Sequence, residues 1–126
     1  MQYALGTLDE YDLIKMVNDS NTLIEVLKIL SKDKHPNVRY HIAANPNTPM
    51  DVLMKLSTDK DRHIRCQVAY RKDIPIEMLI ELSKDKNSWV KLRIANNPNT
   101  PETIARNCRK MIENKSRTQD SADASQ

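Results

Sequence analysis

The sequence predicts an all-α fold, a right-handed α-solenoid of about four 26-residue helix-pair repeats, and three observations carry that prediction. The phrase Asn-Pro-Asn-Thr-Pro stands at residues 45–49 and again at 97–101, 52 residues further on. Midway between the copies lies Arg71-Lys72-Asp73-Ile74-Pro75, a worn version of the same phrase that sets the period at 26. Apolar residues keep that period through Leu27, Leu53 and Leu79, through Leu30, Leu56 and Leu82, and through Ile42, Val68 and Ile94. Self-similarity at a fixed period marks a stacked repeat, in which each unit covers the apolar face of the next.

The elements follow in order. Thr7-Leu8-Asp9-Glu10 opens a helix that runs to about Asn18 and aligns with the second helix of a repeat, so residues 1–21 read as a degenerate N-terminal cap repeat. Residues 22–47, 48–73 and 74–99 then form three repeats of two short helices each. In the first helix the apolar positions fall at i, i+1 and i+4 (Val52, Leu53, Leu56), and in the second at i, i+4 and i+5 (Val38, Ile42, Ala43). Both spacings are helical, and neither alternates as a strand would. Thr48 and Thr100 are expected to cap the incoming helix, with Pro49 and Pro101 at its first position and Asp51 as the capping-box acid; Thr22 with Glu25 repeats the signal. The proline inside each phrase ends the preceding helix at Asn45 and Asn97, whose asparagines are expected to take the backbone conformation that glycine usually supplies. Residues 100–114 read as a C-terminal capping helix with Ile104, Cys108, Met111 and Ile112 as one stripe, and 115–126, without apolar bulk, as a disordered tail.

Composition bounds the rest. A chain of 126 residues with 39% hydrophobic content buries a core as a single domain, expected over 1–114, without disulfides or metals. No apolar run approaches the length of a membrane span, and the acidic N-terminal stretch is unlike a secretory signal. Cys66 and Cys108 have neither metal-ligand nor redox-motif spacing, which fits a reducing cytoplasm. The net charge of +3 is too small to name a partner.

The phrase Val38-Arg-Tyr-His-Ile-Ala-Ala-Asn-Pro-Asn-Thr-Pro, continued through Asp59, resembles the bacterial leucine-rich repeat variant and the related short HEAT-like repeats, over about residues 20–108. The resemblance extends to an aspartate six residues before a base, as in Asp33 and Arg39, Asp59 and Arg65, Asp85 and Lys91, similar to the ladder that joins neighbouring HEAT layers. It implies a rod of paired helices and is nearly silent on function. One type within the variant carries a cysteine-ligated iron–sulfur cluster, but such ligands are missing from this sequence and no cofactor is carried over.

Enzyme chemistry finds no footing in these residues. With Gly6 the only glycine, there is no glycine-rich phosphate loop, and no nucleophile, base and acid can be assembled by spacing. His35, His41 and His63 stand in different registers without a ligand spacing and read as surface histidines. The fixed offset of Arg39, Arg65 and Lys91 from aspartates makes them an internal ladder before it makes them a phosphate grip.

The outward side of the second helices is more informative. With Val38 and Ile42 facing inward, the opposite positions across the repeats collect Tyr40, His41, His63, Cys66, Gln67, Tyr70, Trp89, Leu92, Arg93 and Asn96, followed by Arg71 and Lys72 where the middle repeat breaks its punctuation. Aromatic residues with arginine are the composition of an interaction hot spot, although Trp89 folded back over a neighbouring loop would give the same sequence. The expectation is a non-enzymatic module that docks a partner protein on this face as adaptor, inhibitor or assembly factor. The alternative is nucleic-acid binding, with Tyr70 and Trp89 stacking bases and Arg71, Lys72 and Arg93 on phosphates, favoured by a repeat body more basic than the whole chain. A homodimer paired through the same stripe stays open as a variant of the first reading.

Overall fold

The computed structural model describes the backbone of residues 8–124 and the side chains of residues 8–116. Thr7 of the opening helix phrase, the start of the cap repeat and the last two residues of the expected tail lie outside the described residues. Within them the protein is all-helical, with eight helices and no strand: α1 (Glu10–Val17), α2 (Ile24–Leu30), α3 (Pro36–Ala44), α4 (Met50–Leu56), α5 (Arg62–Tyr70), α6 (Ile76–Ser83), α7 (Ser88–Asn96) and α8 (Glu102–Ala124). The helices that begin at 10, 36, 62 and 88 alternate with those that begin at 24, 50, 76 and 102, so each series steps by the sequence period. None of the described helices is long and apolar enough to cross a membrane.

Contacts group the chain into two compact units, residues 1–68 and 69–126, with the boundary inside α5. In the first unit α1 packs on α2 and α3, and α3 on α2 and α4. Its buried residues include Leu13, Val17, Leu27, Leu30, Val38, Ile42, Leu53, Leu56, Ile64 and Val68. In the second unit α7 packs on α6 and α8, and α6 on α8, over Met78, Leu79, Leu82, Val90, Ile94, Ala105 and Cys108. Each fully buried leucine or isoleucine removes enough apolar surface to contribute about 2 kcal/mol. Only Val26 and Ile104, toward the two ends of the series, are half-buried where their equivalents Val52 and Met78 are covered.

The connections depart from the expected capping. Thr48 does not cap α4: its hydroxyl donates to the Ile42 carbonyl at 2.6 Å, closing the end of α3, and Pro49 occupies the cap position of α4 without a side-chain bond. Thr22 likewise donates to the Met16 carbonyl at the end of α1, and Leu23 precedes α2. Thr100 donates through its backbone to the Asn97 carbonyl at 3.0 Å, while its buried hydroxyl finds no partner among the described residues. A carbonyl at a helix C-terminus lacks its intrahelical donor, and a threonine six residues on is placed to supply one.

Nor do the asparagines stand in for glycine. Asn45 and Asn97 have extended backbones, with φ and ψ of −72° and 124°, and −72° and 125°, and no described residue has positive φ. Their value is in the side chain. Asn45 Oδ1 accepts from the Asn47 N–H at 2.7 Å, closing an Asx turn, while its Nδ2 donates to the Val17 carbonyl at 2.6 Å. Asn97 does the same in the second unit, accepting from the Asn99 N–H at 3.0 Å and donating to the carbonyls of Ala69 at 3.0 Å and Arg71 at 2.8 Å. The side chain thus pairs backbone groups of its own turn and of the preceding turn, which would otherwise be buried unsatisfied.

The aspartate ladder is also rearranged. Asp33 does not offer its carboxylate to Arg39; that carboxylate accepts from the His35 N–H at 2.9 Å and lies 2.8 Å from its Nδ1. Arg39 donates instead to the Asp33 backbone carbonyl at 2.8 Å and forks onto Asp59 of the following repeat, at 2.9 and 3.3 Å. Arg65 likewise donates to the Asp59 carbonyl at 2.7 Å.

Finally, α8 runs as helix through Ala124, although residues from Lys115 were expected to be unstructured. Lack of apolar residues removes burial and leaves helix formation intact, and no proline or glycine follows Pro101 to break the ladder. Lys115 also reaches the Lys86 carbonyl at 3.4 Å.

Candidate partner-binding face

Asn87 sets the orientation of α7. Its side chain accepts from the N–H groups of Trp89 at 2.9 Å and Val90 at 3.3 Å, starting the helix at Ser88. Val90, Lys91, Ile94 and Ala95 then turn inward. Trp89, Leu92, Arg93 and Asn96 are left on the outer side at spacings of three and four, where side chains of a helix neighbour one another. Trp89 is 65% exposed, so it is not folded back over a loop, and Leu92 beside it is 36% exposed.

The start of the second unit completes this face. Tyr70 is 57% exposed, and the Arg93 guanidinium carbon lies 5.3 Å from the centre of its ring. That distance is a cation–π contact. The segment after Tyr70 is anchored by Asn99, whose side chain donates to the Lys72 carbonyl. Lys72 itself is exposed.

Arg71 does not belong to the face. It is buried at the position that Asn45 and Asn97 hold in the other repeats, and it forks onto Asp73 at 2.8 and 2.6 Å. Hydrogen bonds from Arg71 hold the Asp73 carboxyl below its ordinary range, outweighing the opposing effect of burial. The break in the middle phrase therefore has a structural account: a guanidinium and carboxylate replace two asparagines at the same turn.

In the first unit the expected residues are more dispersed. Tyr40 is exposed and meets His41 edge to face, with ring centres 5.7 Å apart at 87°. His63 is exposed and its Nδ1 lies 3.1 Å from Asp61 Oδ1, whereas Cys66 and Gln67 are half-buried. Burial pushes the Asp61 carboxyl up, but hydrogen bonds from the His63 backbone and ring outweigh it and hold the group low. Cys66 and Cys108 are both unbridged, and burial raises the Cys108 thiol.

A second exposed set escaped the sequence reading. Leu23, Ile24, Ile29, Met50 and Met54 of the first unit, and Ile76 of the second, are open to solvent on or just before the first helices. Ile24, Met50 and Ile76 share one register of the repeat, and that recurrence was a legible signal.

Among the helices of the three repeats, though not in α1 with its Glu10 and Asp12, acidic residues are confined to the first helices. The sequences of α3, α5 and α7 contain no aspartate or glutamate, whereas α2, α4 and α6 carry Glu25, Asp51, Glu77 and Glu81. Comparison with family models, with curated proteins and with solved structures finds no match to this chain.

Proposed function

We propose that the protein is a non-enzymatic binding module: a right-handed stack of helix pairs, of the leucine-rich repeat variant or HEAT-like kind, that docks a partner protein on the outer side of its second helices. The stacking is supported by the helix starts that keep the 26-residue period and by burial of equivalent positions in every repeat. A repeat of this size cannot bury its apolar face alone and gains its core from neighbours. The docking reading rests on one observation, the chain's only tryptophan standing 65% exposed beside Leu92 and Arg93. An exposed tryptophan contributes nothing to its own fold's core and a large apolar area to an interface, where such residues dominate affinity.

Nucleic-acid binding is less well supported. Of its basic candidates, Arg39, Arg71 and Lys91 are buried, and the first two are forked onto aspartates. Of the three bases assigned to phosphates beside Tyr70 and Trp89, burial of Arg71 leaves Lys72 and Arg93.

Affinity capture with wild type and with a Tyr70→Ala, Trp89→Ala double variant, each with and without nuclease, tests the reading. The expected result is a protein that survives nuclease and disappears with the variant. Equal capture by both chains, or recovery that requires nucleic acid, overturns it.

A further inference from the structure

Arg93 is the one base on the outer side of α7, and its surroundings are unusual for a surface arginine. Its guanidinium carbon lies 5.3 Å from the centre of the Tyr70 ring, a cation–π distance, and no carboxylate or carbonyl of the described residues accepts a hydrogen bond from it. A cation–π contact uses none of the guanidinium's hydrogen-bonding capacity, and its N–H groups fit the two oxygens of a carboxylate. Side-chain freedom is already reduced by the contact with Tyr70, so less entropy is lost when a ligand is gripped. Trp89 and Leu92, four and one residues before it on the same helix, place apolar surface next to that edge.

The local charge agrees. α7 contains no acid, Lys72 is exposed nearby in sequence to Tyr70, and the neighbouring carboxylate of Asp73 is occupied by Arg71. An occupant that brings its own carboxylate therefore meets unpaired positive charge and no like charge on α7.

We infer that the partner presents an acidic peptide segment, in which an aspartate or glutamate forks onto Arg93 while a nearby apolar side chain packs on Trp89 and Leu92. This rests on the docking reading above. Tyr70 is then a positioning residue for the guanidinium, and Arg93 sets specificity by rejecting segments that are neutral or basic at that place.

The test selects short random peptides displayed on phage against the full chain, then measures selected peptides by fluorescence anisotropy. Enriched sequences are expected to carry an acid a few residues from a large apolar residue. Trp89→Ala should abolish their binding, and Arg93→Gln should weaken it about tenfold, the loss expected for one charge-assisted contact. Arg93→Glu should reject the acidic peptide and accept its lysine-substituted counterpart. Peptides lost with Trp89→Ala but showing no acidic preference and no response at Arg93 would overturn this inference and leave the docking face standing. Peptides indifferent to Trp89→Ala, or no selection at all, would overturn both. A single-stranded oligothymidine that binds more tightly than any peptide, and weakens steeply with salt, would also overturn both in favour of nucleic acid.

Discussion

Asn45 donates from its side chain to the Val17 carbonyl at 2.6 Å, 28 residues earlier, while its oxygen accepts from the Asn47 N–H at 2.7 Å. One short side chain thus closes its own turn and ties that turn to the preceding helix end. Asn97 repeats the arrangement toward Ala69 and Arg71, which explains why the phrase is written twice without glycine.

Removing that side chain should expose the cost of orphaned backbone groups. Asn45→Ala is expected to destabilise by about 1–3 kcal/mol, and Asn45→Gly by at least as much, because conformational freedom is not what the position needs. Urea denaturation compares the two. A stabilising Asn45→Gly would mean that backbone flexibility is the limiting property after all.

Arg39 and Asp59 form a pair whose side chains are 8% and 10% exposed. Arg39→Met should cost about 3 kcal/mol by leaving a poorly solvated carboxylate, and the double replacement Arg39→Met, Asp59→Leu should recover much of that loss. Lys91 holds the equivalent position, is 7% exposed, and pairs with no carboxylate among the described residues. Lys91→Met is expected to be neutral or stabilising by about 1 kcal/mol, since it removes a buried charge without stranding another. Chemical denaturation of the four chains measures the contrast, and equal losses at Arg39 and Lys91 would contradict it.

Acid should act through three aspartates. Arg71 holds Asp73 low; Asp33 and Asp61 are raised by burial but held low on balance by hydrogen bonds from His35 and His63. A carboxyl whose folded pKa lies below its unfolded value, here about 3.8, stabilises above that value and loses the contribution as pH falls through the folded one. Stability should therefore decline below about pH 4, and Asp73→Asn should reduce stability at neutral pH while flattening that decline. Urea midpoints across the acid range supply the measurement.

Leu79 and Trp89 separate core from surface. Leu79→Ala and Leu53→Ala are each expected to cost about 2–5 kcal/mol, because both leucines are fully buried. Trp89→Ala should change stability by less than about 0.5 kcal/mol, as a substitution on an exposed helix face does. A thermal melt of each variant decides the matter, and a large loss at Trp89 would make it a core residue.

Helix periodicity was legible in the residues themselves, because burial every three or four positions and a break every 26 residues are one-dimensional signals. That is why Leu27, Leu53 and Leu79, or Ile42, Val68 and Ile94, could be aligned as core and are all buried. The outward places of Trp89, Leu92 and Arg93 followed from the same geometry. Partners of polar side chains were not legible. Thr48 bonds backward to Ile42 when its sequence context reads as a forward cap, and Arg39 bypasses the Asp33 carboxylate for Asp59, twenty residues on. Arg71 looked like an exposed base and is buried against Asp73. A hydrogen bond is settled by which donor and acceptor meet within about 3 Å once the helices have packed, and sequence spacing specifies only which face a residue is on. The sequence by itself determined the helices, their period and their apolar faces; only the tertiary structure decided which charges are satisfied inside and that Arg93, in cation–π contact with Tyr70, is left without an acidic partner among the described residues.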